Sequence, residues 1–178
     1  MKTTLTVLAV LCMATIANAG INVTYTSTPL AGNLVQYTVH LIGDNAADMP
    51  SAWDGTFTGP LNQFMVATVL TTPTLTIASA LGADLAADTH FMVYDKDIQS
   101  GRSPSESATM LEGAIAVPKP LTMDTILAQL VMPVGGQATM VGEAANATGS
   151  KFAINTVIPE PATLSLLGLG ALALRRRK

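Results

Sequence analysis

The chain has 178 residues, of which 49% are hydrophobic and only 12% charged, with a formal net charge of −3. That length suits one domain, and a chain this apolar with so little charge is not generically disordered. The 14 glycines and 10 prolines are scattered without a period, which excludes collagen-like and low-complexity classes.

Lys2 opens an uncharged run whose apolar centre holds Leu5, Val7, Leu8, Val10 and Leu11, and the run closes on Ala17-Asn18-Ala19. A basic start, a short apolar stretch and a small-x-small close predict a secretory signal peptide over residues 1–19. Its partners are the Sec translocon and signal peptidase, and the small side chains of Ala17 and Ala19 place the cut before Gly20. The run falls short of the ~20 apolar residues that a membrane span needs. Cys12, the only cysteine, lies inside it. The mature chain therefore carries no disulfide and must be held together by its core.

Residues 20–157 form the exported body. Four bases, Lys96, Arg102, Lys119 and Lys151, stand there against eleven of the twelve acidic residues. So acidic a surface repels phosphate backbones, and the body is not expected to bind nucleic acid. Its periodicity is that of β-structure. Ile21, Val23 and Tyr25 alternate with polar neighbours, as do Val35, Tyr37, Val39 and Leu41. Further strands are predicted over 53–58, 64–70, 75–80, 90–94, 114–117, 126–132, 137–142 and 152–157, separated by turn signals such as Gly43-Asp44-Asn45, Gly59-Pro60 and Gly135-Gly136. Helical patterns compete over 122–130 and 81–87, but both are short. About nine short strands with Gly/Pro turns predict an all-β chain built as a single β-sandwich. Tyr37-Thr38-Val39-His40-Leu41, Ala52-Trp53-Asp54-Gly55, Leu127-Ala128-Gln129-Leu130-Val131 and Ala138-Thr139-Met140-Val141 follow one another in an order that resembles cohesin-like (Ig-like) sandwiches of secreted bacterial proteins. That resemblance implies the fold and not a dockerin partner.

Chemistry is sparse in the body. His40 falls on the polar side of its strand, and His90 sits among Asp88, Thr89 and Asp95. There is no Gly-x-Ser-x-Gly elbow and no run of His or Cys at zinc spacing, so no catalytic residue, metal ligand or cofactor is expected. Asp95, Asp97, Gln99, Gly101 and Glu106 follow the frame of a calcium loop, but Ser100 stands where the turn glycine belongs, which leaves a solvated hairpin loop as the expectation. The body reads as non-enzymatic. The alternative is a recognition module for extracellular polysaccharide or protein, for which an exposed Trp53 would supply the stacking ring.

Residues 158–178 close the chain with Pro159-Glu160-Pro161, an uncharged stretch over 162–174, and Arg175-Arg176-Arg177-Lys178. These three features in this order resemble the PEP-CTERM sorting signal of exported Gram-negative-type bacterial proteins. The resemblance implies recognition by an exosortase and a destination at the cell surface or in the extracellular matrix. The charge pattern agrees, since four cations beyond the apolar stretch hold that end on the cytoplasmic side of the inner membrane, with the N-terminus out. At ~1.5 Å per residue the 13-residue stretch reaches about 20 Å of a ~30 Å hydrocarbon core, enough for a transient transmembrane hold and short for a lasting anchor.

Overall fold

The computed structural model describes residues 20–66, 69–70, 74, 84–93, 103–117 and 121–159. Among them the strands are β1 (Ile21–Leu30), β2 (Leu34–Gly43), β3 (Pro50–Thr58), β4 (Met65–Val66), β5 (Val69–Leu70), β6 (His90–Phe91), β7 (Ser105–Ser107), β8 (Met110–Ala116), β9 (Asp124–Pro133), β10 (Ala138–Asn146) and β11 (Lys151–Ile158). Nine of them make two sheets, ordered β1-β2-β9-β6 and β11-β10-β3-β8-β7. Every neighbouring pair is antiparallel. Among the described residues no helix is long and apolar enough to cross a membrane.

The alternation in β2 shows why these residues choose strand. Val35, Tyr37, Val39 and Leu41 are buried while Gln36, Thr38 and His40 are half-exposed, so one face enters the core and the other does not. One apolar cluster takes residues from both sheets, with Tyr37, Leu41, Leu127 and Leu130 on one side and Trp53, Phe57, Leu111, Ile115 and Met140 on the other. Phe57 of β3 meets Phe91 of β6 across the layers, their ring centroids 6.1 Å apart. The sheets thus form the two layers of a sandwich around a single core.

The Trp53 indole packs against two glycines of a three-glycine row, Gly55 and Gly142. Gly142 of β10, Gly55 of β3 and Gly113 of β8 are directly paired across three adjacent strands. A Cβ at Gly55 would stand 2.4 Å from Trp53 Cζ2, and one at Gly142 would stand 2.7 Å from Trp53 Cη2. At Gly55 and Gly142 the ring meets backbone that has no side chain to displace it.

Several sequence expectations need correction. Residues 64–70 hold a hairpin, with Met65 paired to Leu70 and Val66 to Val69, and not one strand. The 90–94 strand shortens to His90–Phe91, and β7 occupies residues where no strand was expected. The strand expected over 75–80 lies outside the described residues, although Thr74 next to it bridges Phe91 in parallel. The helical pattern over 122–130 is strand β9, whose residues Ala128–Met132 are buried; β6 pairs beside it, and residues 85–88 lie over its outer side, where Gln129 donates to the Leu85 and Asp88 carbonyls. β11 continues through Ile158, which is fully buried and paired to Ala138.

Candidate functional site

Chemically capable side chains gather at one buried place beside β9. Residues 84–93 cross the outer face of β9 and are held there by polar groups. Thr89 Oγ1 accepts from the Val131 N–H at 2.9 Å, and Gln129 Nε2 donates to the Asp88 carbonyl at 2.8 Å. Asp88 Oδ1 accepts from the Phe64 N–H at 2.7 Å. His90 Nδ1 lies 3.4 Å from the other oxygen, Asp88 Oδ2, and both residues are buried, at 1% and 0% exposure. Glu106 reaches this cluster from β7. Gln63, with its amide turned to satisfy its neighbours, donates to Glu106 Oε2 at 3.2 Å and to the Thr89 carbonyl at 2.7 Å. Among the described residues Asp88 Oδ2, His90 Nδ1 and Glu106 Oε1 have no hydrogen-bond partners.

The sequence paired His90 with nearby aspartates only by proximity along the chain, and Glu106 was expected in a solvated loop. The fold instead brings Glu106 beside Asp88. Burial, and then the negative charge of Asp88, push the Glu106 carboxyl from 4.5 up to about 8. It is a neutral acid at pH 7. The folded chain keeps this proton across the window from pH 4.5 to 8 while the unfolded chain releases it, so stability falls as pH rises through that window. Glu106→Gln, neutral at every pH, should flatten the dependence: the variant should melt close to wild type at pH 5 and above it at pH 8.5. Thermal melts at the two pH values check this, and equal wild-type and variant melts at pH 8.5 would show Glu106 ionised in the fold.

The arrangement is a His-carboxylate cluster without an opening at Asp88 or His90. Among the described residues no three His, Cys, Asp or Glu side chains are placed to hold a metal ion. Asp95, Asp97, Gln99 and Gly101 of the calcium frame lie outside the described residues. His40 stands apart on β2, its Nδ1 2.7 Å from Asp124 Oδ1 at the surface. Trp53, the candidate sugar platform, is 1% exposed. Over it the outer face carries a shallow depression of about 150 Å³ lined by Ala52, Ala114 and Ala145 and edged by Asp54 and the Glu143–Lys151 ion pair. Such a hollow is smaller than ordinary ligand pockets, and Trp53, which also lines it, is almost wholly buried.

The remaining candidate residues lie where the chain enters and leaves the body. Gly20 is buried, its N–H donates to Asp44 Oδ2 at 3.0 Å, and its carbonyl accepts from the Asp44 N–H at 2.9 Å. Ala17 and Ala19 lie outside the described residues. At the other end Ile158 is locked in the core and Pro159 follows at once, with Glu160, Pro161 and the Arg175, Arg176, Arg177 and Lys178 cluster outside the described residues. Residues 157–178 match the PEP-CTERM protein-sorting motif. No curated protein and no solved structure matches the chain. The PEP-CTERM tail therefore overlaps the last two residues of β11, and no linker separates the body from Pro159. Gly20 packs against the Phe152 ring near the start of β11, and seven residues at ~3.3 Å put Pro159 about 23 Å further along the same strand. The two exits lie at opposite ends of one edge strand.

Proposed function

We propose that this chain is an exported, non-enzymatic protein of the cell surface or extracellular matrix. It crosses the inner membrane by the Sec route, loses residues 1–19 to signal peptidase, and is held by its C-terminal stretch until an exosortase processes it at Pro159-Glu160-Pro161. The PEP-CTERM motif at residues 157–178 is the observation that carries this reading. Two features of the body support it. The exits lie at opposite ends of β11, so that removal of the first leaves the body hanging from the second. Pro159 and Pro161 keep the joining peptide extended, since residues before proline avoid the helical region and proline donates no backbone hydrogen bond, which leaves a strand-like segment for an enzyme to grip.

The absence of catalysis is supported by the sealing of Asp88 and His90 away from solvent. The polysaccharide-binding alternative required an exposed Trp53, and its ring is buried. The test is mass spectrometry of surface-fraction protein. Glu160→Ala should leave the precursor inserted in the membrane but poorly processed, so that it accumulates with Leu174 and Lys178 still attached. If wild-type mature molecules also retain Leu174 to Lys178, the tail is a true anchor and exosortase processing is not its role.

A further inference from the structure

We infer that Asp44 is a receptor for the amino terminus created at Gly20, so that export processing completes the fold. This rests on the signal-peptide reading above and adds a site to it. Residue 44 grips both backbone groups of Gly20, its carboxylate accepting from the N–H at 3.0 Å and its own N–H donating to the carbonyl at 2.9 Å. Asn22 Nδ2 donates to the other carboxylate oxygen and holds it in place. A side chain here would have to displace the Phe152 ring. A Cβ on residue 20 would fall 2.0 Å from Phe152 Cε1, and the backbone sits at φ +129°, a conformation that favours glycine.

Before cleavage Gly20 offers one amide N–H. Hydrolysis adds the hydroxyl of water to the Ala19 carbonyl carbon and breaks the C–N bond. The released Gly20 nitrogen takes the water's hydrogen and, at neutral pH, one further proton from solvent, leaving an ammonium with three N–H donors. The neutral hydrogen bond to Asp44 becomes a charge-assisted ion pair. Two features leave room for it. Among the described residues Asp44 has no cationic partner. Asn22 Oδ1, on the residue that holds the same carboxylate, is buried and has no hydrogen-bond partner among the described residues. The charged neighbours are Asp48, held on the adjoining turn by Asn45, and Lys151, which is engaged by Glu143 at 3.1 Å. The charge thus forms against a site of opposite sign, where β1, β2 and the Phe152 end of β11 meet.

The test uses exported, processed protein in wild-type and Asp44→Asn forms, with intact mass reporting where each begins. Cyanate is the probe, because it carbamylates the neutral amine only. The Gly20 amine should react about two- to fivefold more slowly in wild type than in Asp44→Asn at pH 7.5, the range expected of an exposed ion pair. In wild type alone, carbamylated protein should melt below unmodified protein at pH 7. That gap should close as pH rises through the amine's pKa, since the pair is present only while the amine is charged. Equal cyanate rates in two proteins that both begin at Gly20, or no melting gap in wild type, would overturn the assignment of Asp44. A mature terminus elsewhere than Gly20 would overturn the signal-peptide reading and this inference with it, and the intact mass tells the two failures apart.

Discussion

Gly142→Ala should lower the melting temperature of the mature protein by about 10 °C. The added Cβ would stand 2.4 Å from the Asp54 carbonyl oxygen and 2.6 Å from Gly55 Cα, both backbone atoms of the paired strand, and 2.7 Å from the Trp53 ring. None of these is the loose end of a flexible side chain. Relief requires β10 to move off β3 or the indole to leave the glycine row, and overpacking of this kind costs roughly 1–3 kcal/mol or more. Against a total stability of roughly 5–15 kcal/mol that is a large fraction. At several degrees per kcal/mol for a domain of this size it gives the expected shift. Gly113→Ala is the internal comparison. It lies in the same row, but its nearest neighbours, the Phe91 ring and Pro104, stand at 3.1 Å and can yield by a few tenths of an ångström. It should melt closer to wild type. If Gly142→Ala melts within two or three degrees of wild type by circular dichroism, the indole is not seated on the glycines.

Replacement of Arg175, Arg176 and Arg177 by serine should abolish surface sorting. On the topology proposed above, 13 uncharged residues at a helical ~1.5 Å each would reach about 20 Å of a ~30 Å hydrocarbon core, so apolar length alone would not hold the precursor. On that proposed topology the hold comes from the cost of moving the terminal cations across, roughly 2.5–3.5 kcal/mol for each arginine at mid-membrane on an insertion scale. With one lysine left, that barrier falls by more than half. The precursor should pass through the membrane unsorted, and fractionation should find full-length protein, tail included, in the soluble exported material. Retention of the triple variant in the membrane at wild-type level would show that the apolar stretch is sufficient by itself. Together with Glu160→Ala, which leaves the cations in place, the pair separates insertion from processing.

The parts of this protein legible in the chain are those whose information is local. Alternation in residues 35–41 marks a strand with one buried face because side chains of a strand point to opposite sides, whatever its neighbours are. The PEP-CTERM tail is a linear signal, its proline pair, apolar stretch and cations arranged to be read as a peptide, so residues 157–178 identify themselves without a fold. Other features follow from register, which joins residues far apart in the chain. That Gly113, Gly55 and Gly142 form one row depends on how β8, β3 and β10 are aligned, and a slip of one residue would place side chains under Trp53. Glu106 appeared to belong to a polar loop because its neighbours are Ser and Pro, but pairing of β7 with β8 carries it to the Asp88 side of the core and raises its pKa. Asp44 reads as an ordinary turn residue. Only the β1–β2 pairing of Ile21 with Gly43 brings its carboxylate to the nitrogen of Gly20. Neighbours in sequence decide which residues form strands and which form signals, while burial and charge at Trp53, Glu106 and Gly20 are set by partners that only long-range strand pairing supplies.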